Sequence, residues 1–591
     1  MASSKIFDIT NSFNDATEKT KKNVEEIAKE HRIHNRKFRD NYFDLSVNKR
    51  GCLYRSKKEY YNFTSVKRVS EIFKVPQFFI HKSGKANSPI QGEVNSCWFI
   101  ASLAVIGNDL DLLEKICVAR DEKVGVYGFD GEWVSTIIDD QLFINGKDEK
   151  GNWKLTFAKS SVENETWQPL IEKAFAKLHG DYESISGGFT GHGMEDLTGG
   201  VYTSIFTSDI LDKDKFWTFI SKEINKDDDY TLFACARHDD ADLDAKGTVK
   251  GHAYSVLRVA EFEDEDEDEN GKKQERKTPK KLIMVRNPWG GRSKWTGAWS
   301  DGSEKWTPER MKKLEYKFGN NGAFWMTYED FLLHWEVIDM CRLFDSNWHV
   351  YSTWINYNVI PRSAGKFNLY IKEKGEYMIV LQQRDDKYFH DPPKFRYQLK
   401  FRLYEQGKIN YDYKIRSRLS VPYGTRSTNL KVDLEPGSYE IIPDIDRKVN
   451  EHSDKPRKTT SKVTLHTGTY NTVNLLVTKD GDEIENIPND DKALNVKRYK
   501  DALLRGKTLN DEINDEINDK INDEEDKTDE VKWEMSLGLR VYSKCTHLIL
   551  GGFSEDISTI SEDASEDISN AKNTSKDTSI AKNASKSKRS V

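Results

Sequence analysis

The sequence predicts an α+β protein built in successive parts, and three observations carry that reading. Cys97 heads the apolar run Phe99-Ile100-Ala101-Ser102-Leu103-Ala104-Val105-Ile106, which reads as a helix buried on several sides. Residues 250–257 and 281–286 have the aromatic and β-branched content of strands. From about residue 346 to 480 short alternating runs recur (367–371, 377–381, 397–404), separated by turns such as Glu435-Pro436-Gly437-Ser438, which is the pattern of an antiparallel β-sandwich.

In chain order, residues 1–60 form a charged extension whose stretch 16–31 is expected to be helical. The Cys97 helix follows a loop, Gln91-Gly92-Glu93-Val94-Asn95-Ser96, in which Asn95 can take a left-handed backbone better than most non-glycine residues. Between the strands at 250–257 and 281–286 lies the acidic run 263–269, followed by lysines and arginines. It reads as a solvated hairpin insertion, with calcium attraction the weaker alternative. Beyond 480, Ile513, Ile517 and Ile521 recur in an Ile-Asn-Asp repeat that buries too little to hold a helix alone. Residues 531–552 carry a last apolar stretch, read as a small β remnant or a docking segment. The tail from Ser554, with its Ser-Glu-Asp and Lys-Asn-Ala-Ser phrases, is expected to be disordered, like most of 481–591.

Composition excludes several classes. Six scattered cysteines in 591 residues make neither a disulfide scaffold nor a CxxC zinc site. Net charge is −7, and no basic run interleaved with aromatics would track a nucleic acid. The N-terminus lacks an apolar leader and nothing is long enough to span a bilayer, so a cytoplasmic protein is expected. A reducing compartment also suits a free reactive thiol.

The chemistry is carried by side chains far apart in the chain. A thiol at a helix N-terminus faces unpaired N–H groups and the positive end of the helix dipole, which favour the thiolate. Gln91, on the incoming loop, can offer a side-chain N–H to an oxyanion. His252 stands near the start of one predicted strand. Asn287 stands at the end of the other, in Asn287-Pro288-Trp289-Gly290, where it can orient the imidazole while Trp289 shields the bond from water. A lone cysteine is more often a packed core residue, and an Asn-Pro pair more often a plain turn. Together, in the order Cys, His, Asn, they point to a nucleophilic triad.

At these residues the chain resembles the calpains, papain-like cysteine proteases. Further phrases share the resemblance: Gly131-Glu132-Trp133-Val134, Trp167 with the run 170–178, Glu195-Asp196-Leu197-Thr198-Gly199-Gly200, Trp295-Thr296-Gly297-Ala298-Trp299-Ser300-Asp301 and Phe324-Trp325-Met326. The likeness spans about residues 61–345. It implies a two-lobed core, with a helical lobe at 61–205 carrying Cys97 and a β-rich lobe at 206–345 carrying His252 and Asn287. A calpain-type β-sandwich at 346–480 is related to phospholipid-binding sandwiches, so weak phospholipid contact is implied as well. The implied activity is limited endoproteolysis of protein substrates. The rivals are a catalytically silent calpain-like scaffold and a transglutaminase-like acyl transferase, the latter disfavoured because its third residue is an aspartate. No EF-hand loop pattern occurs, so no EF-hand small subunit is expected as a partner.

Conventional members of that family bind two calcium ions in the core, and the resemblance carries two ligands over, Glu165 and Asp301. Other positions depart from it. Ser88, beside Asn87, stands where an aspartate is expected. Lys294 replaces a glutamate, and Asn321 and Ala323 replace an acidic pair. A lysine repels a cation, so the second site is expected to be lost and calcium dependence reduced.

Overall fold

The computed structural model describes residues 5–7, 9–54, 61–80, 88–130, 135–224, 231–237, 246–263, 279–292, 295–345, 347–360, 365–383, 385, 395–408, 413–418, 425–449, 476–477, 483–484, 533–545 and 548–553. Asn87, the phrase 131–134, residues 264–269 of the acidic run, Lys294, the isoleucine repeat and the tail from Ser554 lie outside the described residues.

A helix, Ile9–Ile33, runs through the N-terminal extension and is longer than the 16–31 expected. Its Val24 and Ala28, one turn apart, bury against Val124 and Val126. Ahead of it, the strand Lys5–Phe7 pairs antiparallel with the strand His349–Ile360.

The helix Cys97–Ile106 lies within an extensive apolar cluster. Every residue after Cys97 is buried, as its unbroken apolar sequence demands. Phe99 stacks on Phe175 of the helix Trp167–His179 at 4.1 Å between ring centroids. Ser102 donates to the Thr190 carbonyl of the helix Thr190–Thr198 at 2.9 Å. These two helices clamp the cysteine-bearing one from either side.

His252 and Asn287 belong to a six-stranded antiparallel sheet. Its order is Val201–Phe206, Val337–Arg342, Thr231–Arg237, His252–Glu263, Pro279–Arg286 and Ala323–Thr327. The strand Val201–Phe206 joins this sheet whole, pairing with Val337–Arg342 along its length. The expected lobe junction, near residues 201–210, falls on this strand.

Two five-stranded antiparallel sheets follow. One has the order Lys5–Phe7, His349–Ile360, Trp533–Ser543, Gly375–Gln382, Ser427–Leu434; the other Ile415–Arg416, Phe395–Glu405, Gly437–Val449, Lys366–Ile371, Leu548–Phe553. Side chains of both sheets, Ile379 and Leu539 from the first and Phe401 and Ile441 from the second, form one buried cluster. The expected division at 480/481 does not describe this arrangement. Leu537, Leu539 and Val541 alternate at period two and bury one face, Arg540 and Tyr542 are buried on the other, and the strand sits at the centre of a sheet instead of trailing from it. Among the described residues no helix is long and apolar enough to cross a membrane.

Candidate active site

The loop before Cys97 is fixed by close packing. A Cβ on Gly92 would lie 2.3 Å from the Phe157 carbonyl carbon, so only glycine lets these two backbones touch. Ser96, at the N-cap, is fully buried; its Oγ donates to Glu172 Oε1 at 2.7 Å, and Glu172 Oε2 accepts the Ala158 N–H at 2.7 Å. Burial pushes the Glu172 carboxyl up to about 7, against the pull of those two donors. Asn95 does not use the left-handed conformation open to it. The turn is made at negative φ, and its exposed residue accepts the Gly187 N–H at 2.9 Å through the main chain.

Cys97 is the first residue of its helix and the one residue of it that is not fully buried. The backbone N–H groups of Ala253, Trp98 and Cys97 itself face the sulfur and favour the thiolate. Burial outweighs them, and the thiol stands above its ordinary value. The sequence expectation of a lowered thiol pKa is therefore reversed. A helix N-terminus supplies partial charges, whereas the loss of water around the sulfur acts on the full charge.

The Ala253 N–H that faces the sulfur belongs to the residue after His252, so the strand His252–Glu263 starts beside the cysteine. His252 Nε2 and Asn287 Oδ1 are 2.9 Å apart, and both residues are buried. Asn287 Oδ1 also accepts the Trp289 N–H at 2.9 Å, which leaves the amide little freedom to turn. The Trp289 ring lies 4.3 Å from the imidazole, tilted by 38°, and covers the His–Asn bond. Burial lowers His252 to about 4, partly opposed by the Asn287 bond. Gly322, at φ +84°, is close enough that a Cβ would reach the Asn287 carbonyl oxygen at 2.4 Å, so this turn too requires glycine.

Gln91 joins the same constellation. Its backbone N–H donates to the Pro288 carbonyl at 3.0 Å, and its Oε1 accepts Trp289 Nε1–H at 2.9 Å. With Oε1 held, Nε2 is turned toward the cysteine loop, where it donates to the Val94 carbonyl at 2.9 Å. Gln91, His252 and Asn287 thus share one network of contacts through Trp289, and Cys97 meets the strand of His252 through the Ala253 N–H.

Glu165 and Asp301 do not. Glu165 is buried, with Oε1 accepting the Ile80 N–H at 2.9 Å and Oε2 accepting Ser160 Oγ–H at 2.6 Å and Gln168 Nε2–H at 2.8 Å. Asp301 Oδ1 accepts the Tyr316 hydroxyl at 2.6 Å. Three protein donors on Glu165 and one on Asp301 compete with a calcium ion, which needs six to eight oxygens turned toward it. Among the described residues no group of three His, Cys, Asp or Glu side chains could hold a metal ion.

Glu172 is the site residue that sequence reasoning passed over. Its signal was present in Leu170-Ile171-Glu172-Lys173-Ala174, a carboxylate inside an apolar helix, but its partner Ser96 lies 76 residues away.

Comparison with known proteins agrees with this geometry. The family described as calpain family cysteine protease matches residues 38–342, just over half of the chain. Calpain-A of Drosophila melanogaster is 32% identical over 291 residues, covering 47% of this chain and 33% of the relative. Calpain-8 of Mus musculus is 35% identical over 299 residues (47% and 38%). The calpain-type cysteine protease DEK1 of Zea mays is 33% identical over 292 residues (47% and 12%). The matched part of this chain therefore spans less than two fifths of each relative's length.

Proposed function

Because the chain belongs to the calpain family of cysteine proteases, we propose that it is an endopeptidase performing limited cleavage of protein substrates through a Cys97–His252–Asn287 triad. The observation that carries this reading is the 2.9 Å contact of His252 Nε2 with Asn287 Oδ1, beside a sulfur that faces the Ala253 N–H. With Nε2 engaged by Asn287, Nδ1 is the imidazole nitrogen left to take the thiol proton. The sulfur attacks the scissile carbonyl carbon and His252 passes its proton to the leaving amine. Water, deprotonated by the same imidazole, then hydrolyses the thioester. The Cys97 backbone N–H and a Gln91 Nε2–H donate to the oxyanion, Gln91 exchanging its bond to the Val94 carbonyl to do so.

In this reading the two C-terminal sheets are the calpain-type β-sandwich, and phospholipid contact through them is weak. Calcium has a reduced part, because the oxygens of Glu165 and Asp301 already accept protein donors. The test is casein cleavage by the purified chain beside its Cys97→Ser variant, each in calcium and in chelator. Cleavage by wild type alone, little changed by chelator, is the expected result. Persistent cleavage by Cys97→Ser refutes the assignment of the nucleophile, and an inert wild type favours the silent scaffold.

A further inference from the structure

Arg286 ends the strand Pro279–Arg286, directly before Asn287, and is fully buried. Its guanidinium meets two main-chain carbonyls. Nε donates to Asn321 O at 2.9 Å, and Nη2 donates to Pro89 O at 2.7 Å. Among the described residues no carboxylate pairs with it. Such a placement is costly for a cation, and burial alone lowers this group to about 9.

The two carbonyls explain where that cost is spent. Pro89 lies two residues before Gln91, in the short strand Pro89–Ile90 that comes from the cysteine-bearing half. Asn321 precedes Gly322, whose carbonyl accepts the Asn287 N–H at 3.0 Å. One rigid fork therefore joins the Gln91 loop to the turn that holds Asn287. It runs beside the Gln91 N–H to Pro288 bond and the Trp289 to Gln91 bond. Those two bonds set the orientation of Gln91; the Arg286 bond sets the position of the loop that carries it.

We propose that Arg286 is a positioning residue, which acts through Gln91 by fixing the oxyanion loop at the correct distance from the His252–Asn287 pair. The proposal rests on the cysteine-peptidase reading above. A lysine at 286 keeps the charge but cannot fork to both carbonyls, so the loop is released while the core stays filled.

The experiment compares the full chain with Arg286→Lys, Gln91→Ala and the double variant, using a fluorogenic peptide derived from casein and a thermal melt of each protein. Arg286→Lys is expected to lower kcat by about 10- to 100-fold, the scale of a misplacement near 1 Å, with KM changed by less than about threefold. In the Gln91→Ala background the same substitution should cost less than about threefold more, because its target is already gone. Losses that multiply fully in the double variant, an unchanged kcat for Arg286→Lys, or a loss matched by the unfolded fraction in the melt would each overturn the positioning role alone. An inert wild type overturns the peptidase reading and this proposal with it.

Discussion

Alkylating Cys97 across a range of pH distinguishes a preformed thiolate–imidazolium pair from a neutral thiol–imidazole pair. Burial raises the thiol from its ordinary value and lowers His252 from 6.5 to about 4. Charging the imidazole alone therefore costs about 3 kcal/mol, and the raised thiol adds to that cost. Both displacements oppose moving the proton from sulfur to imidazole at rest, so the neutral pair predominates. The assay is iodoacetamide labelling of the substrate-free chain, read at the Cys97 peptide by mass spectrometry, with buried Cys52, Cys117, Cys235 and Cys341 as internal controls. The Cys97 rate should rise at least about 30-fold between pH 6 and pH 9, as a largely protonated thiol requires. Rates at pH 6 and pH 9 within threefold of each other would mean a fully formed pair and refute the argument that desolvation governs this cleft.

Further outcomes follow from other buried groups. Burial raises Glu172 from 4.5 to about 7, so the folded state holds its proton more tightly than the unfolded one; stability should fall by about 3 kcal/mol as pH rises from 4.5 through 7, and Glu172→Gln should remove that slope from urea melts. Glu195 is held at about 2, burial being outweighed by Arg426 and Arg540; its stabilisation is present above 4.5 and lost as pH falls through 2. Arg426→Met, which removes one of the two arginines on Glu195 and the cation beside Asp196, should destabilise the fold by about 3–5 kcal/mol in denaturant titrations at pH 7. Gly92→Ala forces the Gln91 loop off the Phe157 backbone and should cost about 1–3 kcal/mol in the same titrations while lowering kcat.

The parts of the site legible in the sequence were those in which residue type and chemistry coincide. Cys97 at the head of an apolar run, His252 in a strand and Asn287 before Pro288 each announced a role, and the contacts among Gln91, His252, Asn287 and Trp289 follow that reading. What stayed hidden was set by packing at long range. The thiol's displacement depends on how closely the second half covers Cys97, and no local window contains that information. Ser96 and Glu172, or Arg286 and Pro89, meet across 76 and 197 residues. The central strand Trp533–Ser543 had the right alternation, but about eighty residues of polar sequence separate it from the preceding strand of the same pair of sheets, Gly437–Val449.

The same distance effect sets the extent of the folding unit. The family match ends at residue 342, yet both oxygens of Glu195 are engaged by arginines beyond it. Oε2 pairs with Arg426 at 2.6 Å, Oε1 with Arg540 at 2.6 Å, and Arg426 also pairs with Asp196 at 2.6 Å. Glu195 and Asp196 stand on the helix Thr190–Thr198, whose Thr190 carbonyl holds Ser102 of the helix that starts at Cys97. Asn429 adds a donor to the Tyr202 carbonyl at 2.6 Å. Cutting the chain after 342 would thus leave two buried carboxylates without their cations one helix away from Cys97, a larger cost than the loss of any single surface contact. The two C-terminal sheets are structural partners of the part that carries Cys97, and Arg540 reaches it from a strand that the sequence pattern alone had assigned to the tail.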